Sequence, residues 1–118
     1  MVLDAVALPT RQPLQAVPSG QPALRLFAKQ GLLVRTGRPV DLVVPPAWTS
    51  RVQIGWGRAQ GPAVHVPACP QAAGDPPWLV FAGGYWTDAP ACIPLLVRTG
   101  DRQTTVHIGV GTPCPPGH

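Results

Sequence analysis

Three cysteines, Cys69, Cys92 and Cys114, and two internal histidines, His65 and His107, are the residues best suited to nucleophilic, redox or metal chemistry. No two cysteines form a CxxC pair, so the spacing of a zinc ribbon is missing. His65 precedes Cys69 by four residues, but that span crosses a strand end and a proline-rich turn. Met1 is the sole methionine, so a cupredoxin-like ligand run is absent. Both histidines fall on outward positions of strands, and no metal is expected. Hydrolytic chemistry has less support still. Ser19 and Ser50 are the only serines, neither stands in a GxSxG elbow, and the chain has no glutamate. Asp75 and Asp88 are the acids of the longest loop, which is no evidence for a glycosidase pair. The reading is a protein that is not an enzyme and uses no cofactor.

The cysteines suit a structural role better. A Pro-rich, Lys-poor β protein with cysteines points to a disulfide in an oxidising compartment. Cys69 and Cys92 bracket the loop 70–91, at the points where it leaves and re-enters the sheet. A bridge there closes a loop worth about 3 kcal/mol in the loop-entropy description. Cys69–Cys92 is the favoured pairing, with Cys69–Cys114 and Cys92–Cys114 as alternatives. An odd count leaves one thiol over, and Cys114 is assigned as that free thiol.

Aromatic residues are the best lead to a ligand. Trp78, Phe81, Tyr85 and Trp86 fall within nine residues, beside Gly83-Gly84. Such rings supply rigid contact area on sugar- and peptide-binding surfaces, and they also fill cores. Trp56 and Trp78 are assigned to the core. Tyr85, Trp86 and Trp48 are the candidate platform, with Trp48 placed to cap one end of the core beside Pro45-Pro46.

The elements that must position these residues are short strands. Pro (17) and Gly (13) are too dense for a long helix. Residues 23–29 alternate, with Leu24, Leu26 and Ala28 on one face and Arg25, Phe27 and Lys29 on the other. Gln30-Gly31 breaks this strand, and 32–35 forms the next. Val40, Leu42 and Val44 alternate inward before Pro45-Pro46 ends the run. Val52, Ile54 and Trp56 share one face, and Val64 and Val66 flank an outward His65. After a Pro-, Ala- and Gly-rich loop, 78–82 reads as a strand that Gly83-Gly84 bends.

The clearest element is a hairpin. Residues 92–99 and 102–110 are joined by Gly100-Asp101, a two-residue loop that matches strand twist. Pairing Thr99 with Arg102 sets Val97 opposite Thr104, Leu95 opposite Val106 and Ile93 opposite Ile108. Extending that register carries Cys114 past the end of the hairpin, away from Cys92. About seven or eight short strands of this kind define an all-β, immunoglobulin-like antiparallel β-sandwich. Residues 23–114 are assigned to it, with 1–22 an extended lead-in and 115–118 a disordered tail.

Only 12% of the residues are charged and 45% are hydrophobic, which argues against a disordered chain. The net charge of +4 comes from scattered arginines, eight against one lysine. They read as a solvated rim. There is no basic run or nucleic-acid motif, so nucleic-acid binding is not expected. No stretch is long enough to span a membrane as a helix. The opening MVLDAVALPTRQP has no basic n-region, and Asp4 interrupts its apolar run, so it is no signal peptide. Three readings follow, in this order: a start placed too far downstream, the mature part of a longer precursor, or a cytosolic protein.

The runs VPPAWTSRVQIGWG, VHVPACP, WLVFAGGYWTDAPACIPLLVRTG and VHIGVGTPC together resemble uncharacterised secreted or lipid-anchored β-domain proteins of high-GC bacteria. The resemblance spans roughly residues 30–115. It implies an upstream signal sequence, an extracytoplasmic β-domain and no established activity. It also implies one further N-terminal cysteine, absent here, which would leave Cys114 without its partner. The resulting expectation is a structural or interaction module at the cell envelope, with an envelope glycan or protein as partner. Carbohydrate or envelope-polymer binding by the aromatic platform is the alternative.

Overall fold

The computed structural model describes residues 2–8, 12–57, 60–68, 73–74 and 77–116. Within them lie eleven strands: β1 (Val6–Ala7), β2 (Ala16–Pro18), β3 (Leu26–Lys29), β4 (Leu32–Arg35), β5 (Val40–Val43), β6 (Val52–Trp56), β7 (Ala63–Val66), β8 (Trp78–Phe81), β9 (Gly83–Thr87), β10 (Ala91–Thr99) and β11 (Arg102–Val110). The only helical turn among the described residues is a 3-10 turn at Pro46–Trp48, started by the prolines that end β5. The strands form three antiparallel sheets, ordered β1-β4-β8, β2-β3-β9-β6 and β11-β10-β5-β7.

Two of these sheets share one ribbon. Leu26 pairs with Thr87 and Lys29 with Gly84. Leu32 pairs with Phe81 and Arg35 with Trp78 in the same register. Between them the Gln30 N–H donates to the Gly83 carbonyl at 3.0 Å. Thus β3 and β4 are one bent strand, and β8 and β9 are another. Gly83 and Gly84 permit the crossing. A Cβ at Gly83 would stand 1.9 Å from the Gly55 carbonyl oxygen, and one at Gly84 would stand 2.0 Å from that of Ala28. Counting each bent strand once reduces eleven to nine, against the seven or eight read from the sequence.

The fold is the expected all-β sandwich. The orders β2-β3-β9-β6 and β11-β10-β5 reproduce the ABED and GFC sheets of immunoglobulin-type domains. Leu14 adds a parallel bridge to Val110 at the end of β11. Two features differ: β7 extends the second sheet beyond β5 but follows β6 in the chain, and β1, β4 and β8 form a third sheet. The stretch 1–22 also does more than lead in, since it contributes β1 and β2 as edge strands.

Inward faces follow the period of two. Val40, Leu42, Ile93, Leu95, Val97 and Ile108 from one sheet, and Ala28, Val52, Ile54 and Tyr85 from another, are at most 1% exposed. The β10–β11 register runs from Thr99–Arg102 to Ala91–Val110, as the turn and the apolar pattern require. Val106 is only half-buried, because β11 is an edge strand.

The disulfide corrects the expected pairing. Cys92 is bonded to Cys114, with Cα atoms 4.9 Å apart, so the Cys69–Cys92 bridge is not formed and Cys114 is not a free thiol. Cys69 lies outside the described residues. Extrapolating the hairpin register past Val110 fails because the chain turns there. Gly111 has φ +67°, a conformation suited to glycine. The returning segment packs over Gly109, which stands opposite Cys92. A Cβ at Gly109 would stand 2.5 Å from the Thr112 carbonyl oxygen. The missing side chain lets Cys114 reach Cys92.

Candidate functional site

The three platform candidates do not come together. Tyr85 lies in the core at 0% exposure. Its hydroxyl donates to Gln30 Oε1 at 2.6 Å, and its ring meets Trp56 edge-on at 5.4 Å. The Trp56 indole N–H donates to the Gln30 carbonyl at 2.8 Å. Burial holds the Tyr85 hydroxyl well above the ordinary tyrosine range, because the phenolate would lose its solvation. Tyr85 is therefore a packing residue and cannot offer its ring to a ligand. Period-two alternation along β9 decides this, since Tyr85 and Trp86 must point to opposite faces.

Trp48 sits at the 3-10 turn, half-buried, with the Arg51 guanidinium 4.7 Å from its ring centroid. It lines a shallow cavity of about 380 Å³ with Cys92, Pro94, His107 and Pro115. That places it on the disulfide, apart from Trp86.

Trp86 points outward from the β2-β3-β9-β6 sheet. Its neighbours form one row across all four strands: Val17 pairs with Phe27, Phe27 with Trp86, and Trp86 with Gln53. The Phe27 and Trp86 ring centroids are 4.8 Å apart, with planes inclined at 46°. Both rings are half-buried, and Val17 is 43% exposed. Gln53 Oε1 accepts from Gln60 Nε2 at 3.0 Å, and the Gln60 side chain reaches Gln21 at 3.4 Å. Lys29 is exposed on the same side of β3 as Phe27. The face thus joins apolar ring surface to amide donors and acceptors and one cation. The alternation along β3 turns Phe27 outward, and Gln53 alternates with the inward Val52 and Ile54. The alignment of Phe27 and Gln53 with Trp86 depends on pairing between strands distant in the chain.

Several charged side chains are engaged with one another across the fold. Arg35 and Arg38 reach the Asp4 carboxylate at 3.2 and 3.6 Å, and Arg51 reaches that of Asp88 at 3.2 Å. His65 Nδ1 lies 2.6 Å from Asp41 Oδ1 on the outer face of the β11-β10-β5-β7 sheet. Ser19 Oγ accepts from the Gln21 N–H and donates to the Leu24 carbonyl, closing its own turn. Among the described residues no three His, Cys, Asp or Glu side chains are grouped to hold a metal. No helix among them is long and apolar enough to cross a membrane.

The fold and its surface define an all-β sandwich with one disulfide and an aromatic row on an outer sheet face. Comparison with family models, curated proteins and solved structures finds no match.

Proposed function

We propose that the chain is a non-catalytic extracytoplasmic interaction module whose contact surface is the outer face of the β2-β3-β9-β6 sheet. The observation that carries this reading is the in-register row Val17, Phe27, Trp86 and Gln53. Aromatic side chains with their faces in reach of solvent are the anchors on which interfaces concentrate binding energy. The Cys92–Cys114 disulfide supports an oxidising compartment. A glycan or envelope polymer is the favoured partner within this reading. The amide chain Gln53–Gln60–Gln21 beside Trp86 supports that choice, because amides can donate to and accept from sugar hydroxyls.

A cell-wall pull-down with purified protein tests the proposal. Retention is expected to fall about tenfold for Trp86→Ala and for Phe27→Ala, as for truncated interface anchors. Trp48→Ala should behave as the unaltered protein. Equal retention of all four proteins would remove the contact face.

A further inference from the structure

The β8 edge is the other exposed apolar feature. Val80 is 70% exposed, the most of any large hydrophobic side chain described. It ends an outer row that runs Ala7, Leu33, Val80 across β1, β4 and β8. Strand β8 reads Trp-Leu-Val-Phe, with no charge and no proline, and it borders β4 alone. The Thr36 N–H bonds the Pro77 carbonyl, so residues 77, 79 and 81 direct their backbone groups toward β4. Trp78 and Val80 must then direct theirs outward, because successive residues alternate. The Ala82 carbonyl, which also faces outward, accepts from Gly57 as β6 ends. Beyond that point no strand among the described residues runs beside β8. Uncharged open edges of this kind are templates for strand pairing.

We infer that this edge pairs with the same edge of a second copy, antiparallel about a twofold axis. The pattern is self-complementary. Setting Trp78 opposite Val80 of the partner makes both hydrogen-bonded pairs, with four backbone bonds in total, and leaves the two Leu79 residues directly opposed between them. Each exposed Val80 is covered by the partner's Trp78, an aromatic–β-branched cross-strand pair. Trp78, expected in the core, is instead half-buried, because it shares the outer face of β8 with Val80, and it carries Arg35 on its other side at 4.9 Å. The joint joins two three-stranded sheets into six strands. Charge is partly balanced beside the joint, since Asp4 offsets Arg35 and Arg38. The joint spans only three residues of each copy, so the association is weak and reversible.

Sedimentation over a concentration series tests this. The unaltered protein should pass from monomer to dimer as concentration rises. Val80→Lys, a change at an exposed edge position, should stay monomeric at every concentration while melting as the parent does. Register is tested separately on a Cys69→Ser background. There Leu79→Cys should form a covalent dimer on mild oxidation, and Val17→Cys should not. A parent that stays monomeric throughout, a dimer that survives Val80→Lys, or equal cross-linking at positions 79 and 17 would each overturn the inference.

Discussion

Tyr85 is the only tyrosine in the chain, and its hydroxyl is enclosed with Gln30 and Trp56 at the bend of the central ribbon. Because burial disfavours the phenolate, the folded-state pKa lies above the unfolded value of 10.0. The unfolded chain then releases this proton first as pH rises, so the stabilisation is complete below pH 10 and is lost above it. We expect alkaline destabilisation to set in near pH 10 and to approach about 1.4 kcal/mol per pH unit for this single group. Urea unfolding across that range should show it, and Tyr85→Phe should remove the Tyr85 part of the slope. Tyrosinate absorbance should appear only as the protein unfolds. Tyrosinate forming near pH 10 in folded protein would contradict the buried assignment.

At the scale of elements, the ribbon formed by β3–β4 and β8–β9 belongs to two sheets and depends on glycines where chains cross. A methyl at Gly84 would meet the Ala28 backbone, which has no flexible end to move aside. Gly84→Ala should therefore destabilise by about 3 kcal/mol, the upper range for overpacking. Gly61→Ala, where a Cβ would meet nothing within 4 Å, should stay within about 0.5 kcal/mol of the parent. Chemical denaturation of the two variants separates them. Equal effects would show that crowding at the crossing is not what selects glycine. The hairpin β10–β11 needs no such device, since its two-residue turn and apolar alternation set one register together.

For the whole molecule, the Cys92–Cys114 bond ties the segment after β11 to the start of β10 across a sequence separation of 22. Replacing both cysteines by serine should lower stability by about 3 kcal/mol, or about 10 °C in Tm for a domain of this size. With three cysteines in the chain and two bonded, thiol titration should find one reactive group, abolished by Cys69→Ser. Two or three titrating thiols in the folded protein would contradict the pairing. The contact face and the self-pairing edge lie on different sheets. A Trp86→Ala loss of retention with dimerisation intact, and the converse for Val80→Lys, would show that they act separately.

Local chemistry was enough to determine a good deal of this protein. The density of Pro and Gly, the period-two alternation and Gly100-Asp101 led to an all-β sandwich, the inward faces of β5, β6, β7 and β10, and the β10–β11 register. Each of those depends on a residue's nearest neighbours in the chain or on one tight turn. Other features needed the tertiary structure, because they depend on contacts between distant segments. That Gln30 anchors Tyr85 and Trp56 follows from the fold of a ribbon, where the sequence showed only a strand break. That Trp86 aligns with Phe27 and Gln53 follows from three strand pairings that no local pattern specifies. The Cys69–Cys92 expectation fails for the same reason: Cys114 reaches Cys92 only because Gly111 turns the chain and Gly109 leaves room for its return. The platform of Tyr85, Trp86 and Trp48 fails on geometry, since one ring is sealed in the core and another sits on the disulfide. What remains at the surface is a row of side chains assembled by strand order, not by proximity in sequence.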